Sequence, residues 1–527
     1  MPKIDYRIKV HGHEPIRGSC TLHSGRLSIA PELPEGVLEY VRASMHVDLA
    51  PDEKIFMNGY QSWTYCPELG REGYTRRMAP LPRRVIDYFG LERYGDYFFV
   101  DYPQRPGVTH GESYCYFRSG ERYRLVASLD ERPGYTLFRY DCGSRVLRIE
   151  RDCKGMRCGG VFHAFDLFLA KGGEDEVFDA WFAEMGVHCR TQEKLAGYSS
   201  WYNRYQNISE ESIYSDLAGC ASQLRPGDLF QIDDGWEPAV GDWLEADGNK
   251  FPRGMKAAAD AIHAQGLRAG LWLAPFVCQR GSKIYTEHPD WLLKVDGKPW
   301  YCGINWGGFY SLDIDKPEVV DYLERVFDRV LNEWGYDLVK LDFLYGAAPF
   351  GSEDESRAGR MIRAMELLRR VCGDKRILGC GVPVMPAFGL VDYCRIGCDV
   401  GLDWDNRSYM RLVNRERVST KHSIGNSIFR RQLNGRAWLN DPDVFFLRED
   451  NIRLTKRQKH ILATVNSLFG GMLLHSDDMS KYDEAARGAY AQLLKNREAT
   501  EIRVHAEHGL SISYKLDGKR HELTIEK

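Results

Sequence analysis

From Gly197 onward, short apolar runs ending in polar residues alternate with amphipathic segments. The pattern repeats eight times, and the intervening segments are roughly 10–18 residues long, enough for a helix. Parallel strands cannot be joined by a tight turn and need a long crossover, most often a helix. Repeated strand–helix units therefore predict a parallel sheet covered by helices. Candidate strands are 197–203, 228–236, 267–276, 336–345, 376–381, 391–399, 436–443 and 471–478, and eight of them fit one closed (β/α)8 (TIM) barrel. Helix signals fall between them. Asp315 stands ahead of Pro317 as a candidate cap, Thr455 and Gln458 have capping-box spacing, and Gly266 is placed to stop a helix.

The flanks follow another period. Runs such as Tyr123–Leu129, Tyr135–Tyr140 and Val146–Glu150 are separated by Arg132-Pro133-Gly134 and Asp141-Cys142-Gly143, which predicts an N-terminal β-sandwich. A helical run from Val177 to Met185 follows a charged Gly172–Asp175 segment. At the other end, Leu510–Leu516 and His521–Ile525 flank Asp517-Gly518, a two-residue hairpin signal. The predicted organisation is a sandwich over 1–175, a linker helix over 176–195, the barrel over 196–496 and a small antiparallel sheet over 497–527.

The formal net charge of −4 gives no electrostatic reason to expect nucleic acid or an anionic membrane surface. No run has the length of a membrane span, and MPKIDYRIKV lacks the apolar core of a signal peptide. The fourteen cysteines are scattered. Cys153/Cys158 and Cys394/Cys398 are close pairs without a matching second pair, so free thiols and a cytoplasmic setting are expected rather than disulfides or a zinc site.

In a (β/α)8 barrel the chemistry stands at the C-terminal ends of the strands. Those ends carry Trp201-Tyr202-Asn203, Asp233-Asp234-Gly235-Trp236, Trp272, Lys340-Leu341-Asp342, Cys380-Gly381, Arg395 with Asp399, Asn440–Asp443 and His475–Asp478. The sequence shows no His/acid metal spacing at this rim and no phosphate-binding loop, so neither a metal nor a cofactor is expected. Carboxylates among indoles point to sugar chemistry. Cleaving a glycosidic bond takes two carboxyl groups, one to protonate the leaving oxygen and one to attack the anomeric carbon or activate water. Asp342 and Asp399 lie two strands apart on one rim. Lys340 shares a strand face with Asp342 and is expected to keep it ionised, while the Asp342 charge favours a protonated Asp399. Ordinary structural roles compete: Asp477 and Asp478 read as helix caps, Asn440–Asp443 as a turn, and Cys380 and Cys398 as small packing residues.

In this order the motifs resemble glycoside hydrolase family 36, specifically its shorter bacterial α-galactosidases. They include Asn58-Gly-Tyr-Gln-Ser-Trp63, Trp201-Tyr-Asn203, Gln231-Ile-Asp-Asp-Gly-Trp236, Gly241-Asp-Trp243 and Gly270-Leu-Trp-Leu-Ala-Pro-Phe276. Val339-Lys-Leu-Asp-Phe343, Ile377-Leu-Gly-Cys-Gly381, Arg395-Ile-Gly-Cys-Asp399 and Trp438-Leu-Asn-Asp-Pro-Asp443 follow. The resemblance implies a retaining hydrolase of terminal α-galactosides such as melibiose or raffinose-type oligosaccharides, with Asp342 as nucleophile and Asp399 as acid/base. It implies that Asp233 and Asp234 take hydrogen bonds from O4 and O6, that Lys340 and Arg395 hold ring hydroxyls, and that Trp201 and Trp272 form walls. Trp63 would reach the site from the sandwich. Tyr202, Cys380 and Gly381 complete the candidate substrate contacts. An oligomer is compatible with the sequence but not specified by it. Related readings are an α-N-acetylgalactosaminidase or an α-galactosyl transferase on the same frame; a reading of another class is a non-catalytic galactoside-binding protein.

Overall fold

The computed structural model describes residues 3–22, 25–405, 414–506 and 509–525. Its N-terminal part is a sandwich of two antiparallel sheets. The larger sheet runs Ile16–Thr21, Lys3–Val10, Glu32–His46, Val146–Arg151, Thr136–Asp141, Val108–Glu112, with Arg157–Val161 paired to Glu32–His46. The smaller runs Arg26–Ile29, Phe165–Gly172, Arg122–Ser128, Tyr114–Ser119, Lys54–Met57. Period-two alternation turns Ile4, Ile8, Val41, Phe117, Leu147 and Leu167 into the space between them.

The outer face of the smaller sheet is covered by the helix Glu174–Met185. Its first turn is acidic, Glu176 accepts from the Gly173 amide, and Gly186 ends it in the left-handed region at φ 65°. Trp181 bonds the Ser128 carbonyl at 2.9 Å and packs 5.8 Å from Phe388, which in turn packs against Trp438. The helix thus joins the sandwich to the barrel through one continuous aromatic core.

The central sheet is parallel. Its strands in chain order are Leu195–Ser199, Leu229–Ile232, Arg268–Leu273, Leu338–Leu341, Arg376–Gly379, Tyr393–Arg395, Leu439–Asp441 continued by Val444–Phe445, and Met472–His475. Neighbours pair in sequence, the first strand pairs with the eighth, and the second piece of the seventh pairs with the eighth, closing the barrel. The seventh strand is interrupted at Pro442, which lacks an amide proton, and at Asp443, whose φ is +72°.

All eight predicted strands are present, and all but the seventh end earlier than the predicted run because the last residues have turned into the rim loops. The first differs most: Trp201–Arg204 is a short helix and not part of the strand. Thr455 and Gln458 form the predicted capping box, and Gly266 has the expected positive φ of +73°. Asp315 does not cap the helix Pro317–Asp328; its carboxylate is held by Arg360 and Arg363 instead. At the C-terminus, Ser511–Leu516 and Lys519–Thr524 pair across Asp517-Gly518, and Thr500–His505 adds a third strand. No described helix is long and apolar enough to cross a membrane, and all fourteen cysteines are free thiols.

Candidate active site

The strand ends bring together two linked networks of buried charge. The first centres on Arg395. Its Nη1 donates to Asp399 Oδ1 at 2.9 Å, its Nε lies 3.2 Å from Asp441 Oδ2, and its Nη2 lies 2.9 Å from Asp443 Oδ1. One planar guanidinium therefore serves three carboxylates from strands six and seven. Asp443 Oδ2 also accepts from the Tyr202 hydroxyl at 2.6 Å and the Val400 amide at 2.9 Å. The break in strand seven aims Asp443 inward, so Asn440–Asp443 is more than a turn: Asp441 and Asp443 hold Arg395, and Tyr202 braces Asp443.

Asp399 keeps 39% of its side-chain surface open, unlike its neighbours. Burial pushes its carboxyl up, Arg395 pulls it down and Asp443 pushes it up again, leaving it at about 6. Asp342 contributes a smaller upward push, so Asp443 is the more influential like charge.

The second network centres on Lys340. Its ammonium lies 2.9 Å from Asp233 Oδ2, which also accepts from Gln231 Nε2 at 2.9 Å and Ser199 Oγ at 3.3 Å. Lys340 is thus paired directly with Asp233, and its influence on Asp342 is the lesser one. Burial disfavours its charge, yet Asp233 and, further off, Asp342 outweigh this and raise its pKa. Asp342 instead accepts from the Trp272 indole N–H at 3.1 Å and the Phe343 amide at 2.9 Å. Both partners are donors, an arrangement that suits an ionised carboxylate.

Strand two ends at Ile232, and Gly235 at φ +114° lets the chain break immediately after the two aspartates. Asp234 Oδ2 accepts from Trp306 Nε1 and Gln206 Nε2, each at 2.9 Å, while its Oδ1 is buried without a donor. Burial and the nearby Asp234 charge push the Glu237 carboxyl well above the usual carboxylate range.

Trp63 leaves the sandwich and reaches the rim. Its indole N–H donates to Cys380 Sγ at 3.2 Å, and its ring meets Phe343 edge-on at 5.1 Å, beside Asp342. Gly381 has φ +55°, and a Cβ there would come within 2.9 Å of the indole, so only glycine admits this contact. Cys380 is a packing residue, its thiol pushed well up by burial and Asp342. Trp201 is half-buried with its ring 5.2 Å from Tyr205. Asp477 accepts from the Leu447 and Arg448 amides and the Tyr482 hydroxyl, and Asp478 caps the short helix Met479–Lys481.

Three contributors escape a strand-end reading. Trp306 comes from an excursion after strand three, where it packs 4.9 Å from Phe343. Glu237 stands one residue past the Asp-Asp-Gly-Trp motif and looks like any loop acid. Arg430, fully buried, bonds Asn58 Oδ1 and the carbonyls of Gly59, Gln61, Ser62 and Ile396 at 2.7–3.3 Å. It fixes the loop that delivers Trp63.

Residues 189–364 match the Melibiase family. Over part of its length the chain is similar to α-galactosidases. It is 30% identical over 170 residues to α-galactosidase AgaA of Geobacillus stearothermophilus, covering 31% of this chain and 22% of that protein. With α-galactosidase 1 of Pediococcus pentosaceus it shares 29% over 160 residues, covering 29% and 21%. These alignments thus span little more than a fifth of the curated relatives. Among solved structures, the Thermus thermophilus α-galactosidase TtGalA in complex with p-nitrophenyl α-D-galactopyranoside superposes with a TM-score of 0.75 and 27% identity over 94% of this chain and 98% of that one. The AgaA crystal structure, at 13% identity and a TM-score of 0.59 over 97% and 80%, shares the fold.

Proposed function

We propose that this protein is a retaining α-galactosidase that releases terminal α-D-galactosyl residues from oligosaccharides by double displacement. The observation that carries this reading is the unequal treatment of two carboxyls on one rim. Asp342 receives only N–H donors, as a nucleophile needs, and Asp399 stays open to the mouth with a carboxyl near 6, as a proton donor needs.

In the first step Asp342 attacks the anomeric carbon while Asp399 gives its proton to the leaving oxygen. In the second, Asp399 takes a proton from water, which displaces Asp342. Asp234, with one oxygen free of protein donors, accepts a sugar hydroxyl, and Asp233 and Lys340 present a fixed polar edge beside it. Trp272, Trp306 and Trp63 supply the apolar walls. The likeness to TtGalA, whose complexes hold p-nitrophenyl α-D-galactopyranoside and stachyose, supports α-galactosides as the substrate class. Free thiols throughout favour a reducing, cytoplasmic setting.

The test is hydrolysis of a panel of p-nitrophenyl α-glycosides with the product anomer followed by proton NMR. The galactoside should be preferred and α-galactose should appear first. Asp342→Gly should be inactive and regain turnover with azide, yielding β-galactosyl azide. β-Galactose as first product would refute retention.

A further inference from the structure

A second polar cluster lies in the sandwich, away from the barrel mouth. His110 and Glu112 are two residues apart on Val108–Glu112, so both side chains leave the same face of the strand. Asp96 meets them from the segment between Tyr94 and Tyr102. One ligand atom from each of the three lies within 4.8 Å of the others. All three are buried: Asp96 is 0%, Glu112 1% and His110 3% exposed.

Asp96 Oδ2 accepts from the Tyr102 hydroxyl, while His110 and Glu112 make no such bond. His110 Nε2 stands 3.6 Å from Asp96 Oδ2, too far for a hydrogen bond. Both ring nitrogens of His110 and both carboxylate oxygens of Glu112 are buried without a hydrogen-bond partner. Buried polar groups are rarely left so, and each such group calls for a partner. An imidazole and a carboxylate without partners, converging on a second carboxylate, are the donor set of a divalent cation. Two carboxylates also match its charge, and Arg415, 3.5 Å from Asp96 Oδ1, faces the opposite oxygen from the one turned to His110. His110 also borders a cavity of about 310 Å³, lined with Phe99, Val100, Asp101 and Arg139.

We propose that Asp96, His110 and Glu112 bind one divalent transition-metal cation of the zinc type as a structural site. The cation would tie the strand to segments that support the barrel mouth. Tyr97, next to Asp96, accepts from the Arg415 amide at 2.9 Å and donates to Glu416 at 2.8 Å. The backbone of Glu112 brackets Asn58, with its amide 2.7 Å from the Asn58 carbonyl and its carbonyl 3.1 Å from the Asn58 side-chain amide. Asn58 opens the loop that carries Trp63. The competing explanation is a proton shared between Glu112 and Asp96.

The full-length chain, stripped with a chelator, is titrated with zinc chloride by calorimetry, and its melting temperature is followed with and without zinc. One zinc per chain and a rise of several degrees are expected. Cobalt(II) loaded in place of zinc should give a visible spectrum without a thiolate charge-transfer band, which separates this site from binding by the free cysteines. Glu112→Gln, which keeps the size of the side chain, should weaken zinc binding at least tenfold and abolish the melting shift. His110→Asn should do the same. Failure of the stripped wild-type chain to bind zinc stoichiometrically overturns the proposal. So does a thiolate band, or unchanged zinc affinity in Glu112→Gln.

Discussion

The glycine behind Trp63 offers the sharpest test of how the two domains share one site. In Gly381→Ala the new methyl would stand 2.9 and 3.0 Å from two carbons of the Trp63 indole and 3.1 Å from the Phe343 amide nitrogen. Carbon atoms settle at about 3.5–4.0 Å, so the indole must retreat by roughly 0.6–1 Å. Holding alanine at a φ of +55° adds about 1–2 kcal/mol of backbone strain. A wall displaced by about 1 Å beside Asp342, the proposed nucleophile, can cost up to ~10²-fold in rate. We expect kcat/KM on p-nitrophenyl α-galactoside to fall about 10- to 100-fold, or roughly 1.4–2.7 kcal/mol of transition-state stabilisation. The assay is a double-mutant cycle with Trp63→Ala. Without the indole there is nothing to displace, so adding Gly381→Ala to Trp63→Ala should cost less than about threefold, the strain alone falling mainly on stability. The same fold-loss in both backgrounds would refute the reasoning, because the effect would then come from the backbone and not from the wall.

Three further outcomes follow from the charge networks. The raised carboxyl of Asp399 must be protonated to act as acid, so kcat/KM should fall as pH rises through about 6; Asp443→Asn, which removes a like charge and keeps an acceptor, should move that limb to lower pH in a pH–rate profile, and an unmoved limb would exclude Asp443 as a cause. Arg430→Leu leaves the buried Asn58 Oδ1 and the carbonyls of Gly59, Ser62 and Ile396 without their donor and should destabilise by about 3–5 kcal/mol, seen by calorimetry as a melting temperature several degrees lower. Asp233→Asn strips Lys340 of its buried counter-ion and should cost stability as well as activity, whereas Asp234→Asn should raise KM and erode the preference for galactoside over glucoside in competition assays with little change in melting temperature.

Much of this molecule could be read along the chain. Period-two runs, turn dipeptides and the strand–helix alternation are local properties, so the sandwich, the eight barrel strands and the C-terminal hairpin were all legible. Because a parallel barrel presents the ends of its strands on one rim, the order of motifs also placed Asp342, Asp399, Lys340 and Arg395 on a common face. Pairing was not legible. Which carboxylate an ammonium meets depends on strand stagger and side-chain reach across the barrel, and this turned Lys340 toward Asp233 and made Arg395 the hub of Asp399, Asp441 and Asp443. Asp443 looked like part of a turn because its inward aim comes from a break in strand seven. Trp306 and Arg430 carry no local signature, since one acts from an excursion after strand three and the other across the sandwich–barrel junction. Local sequence determined the elements and the residues at their ends, through hydrogen-bond periodicity and conformational preference. Tertiary structure decided which charges neutralise one another, because that depends on distances between separate strands, 46 residues apart along the chain for Arg395 and Asp441 and 107 for Lys340 and Asp233.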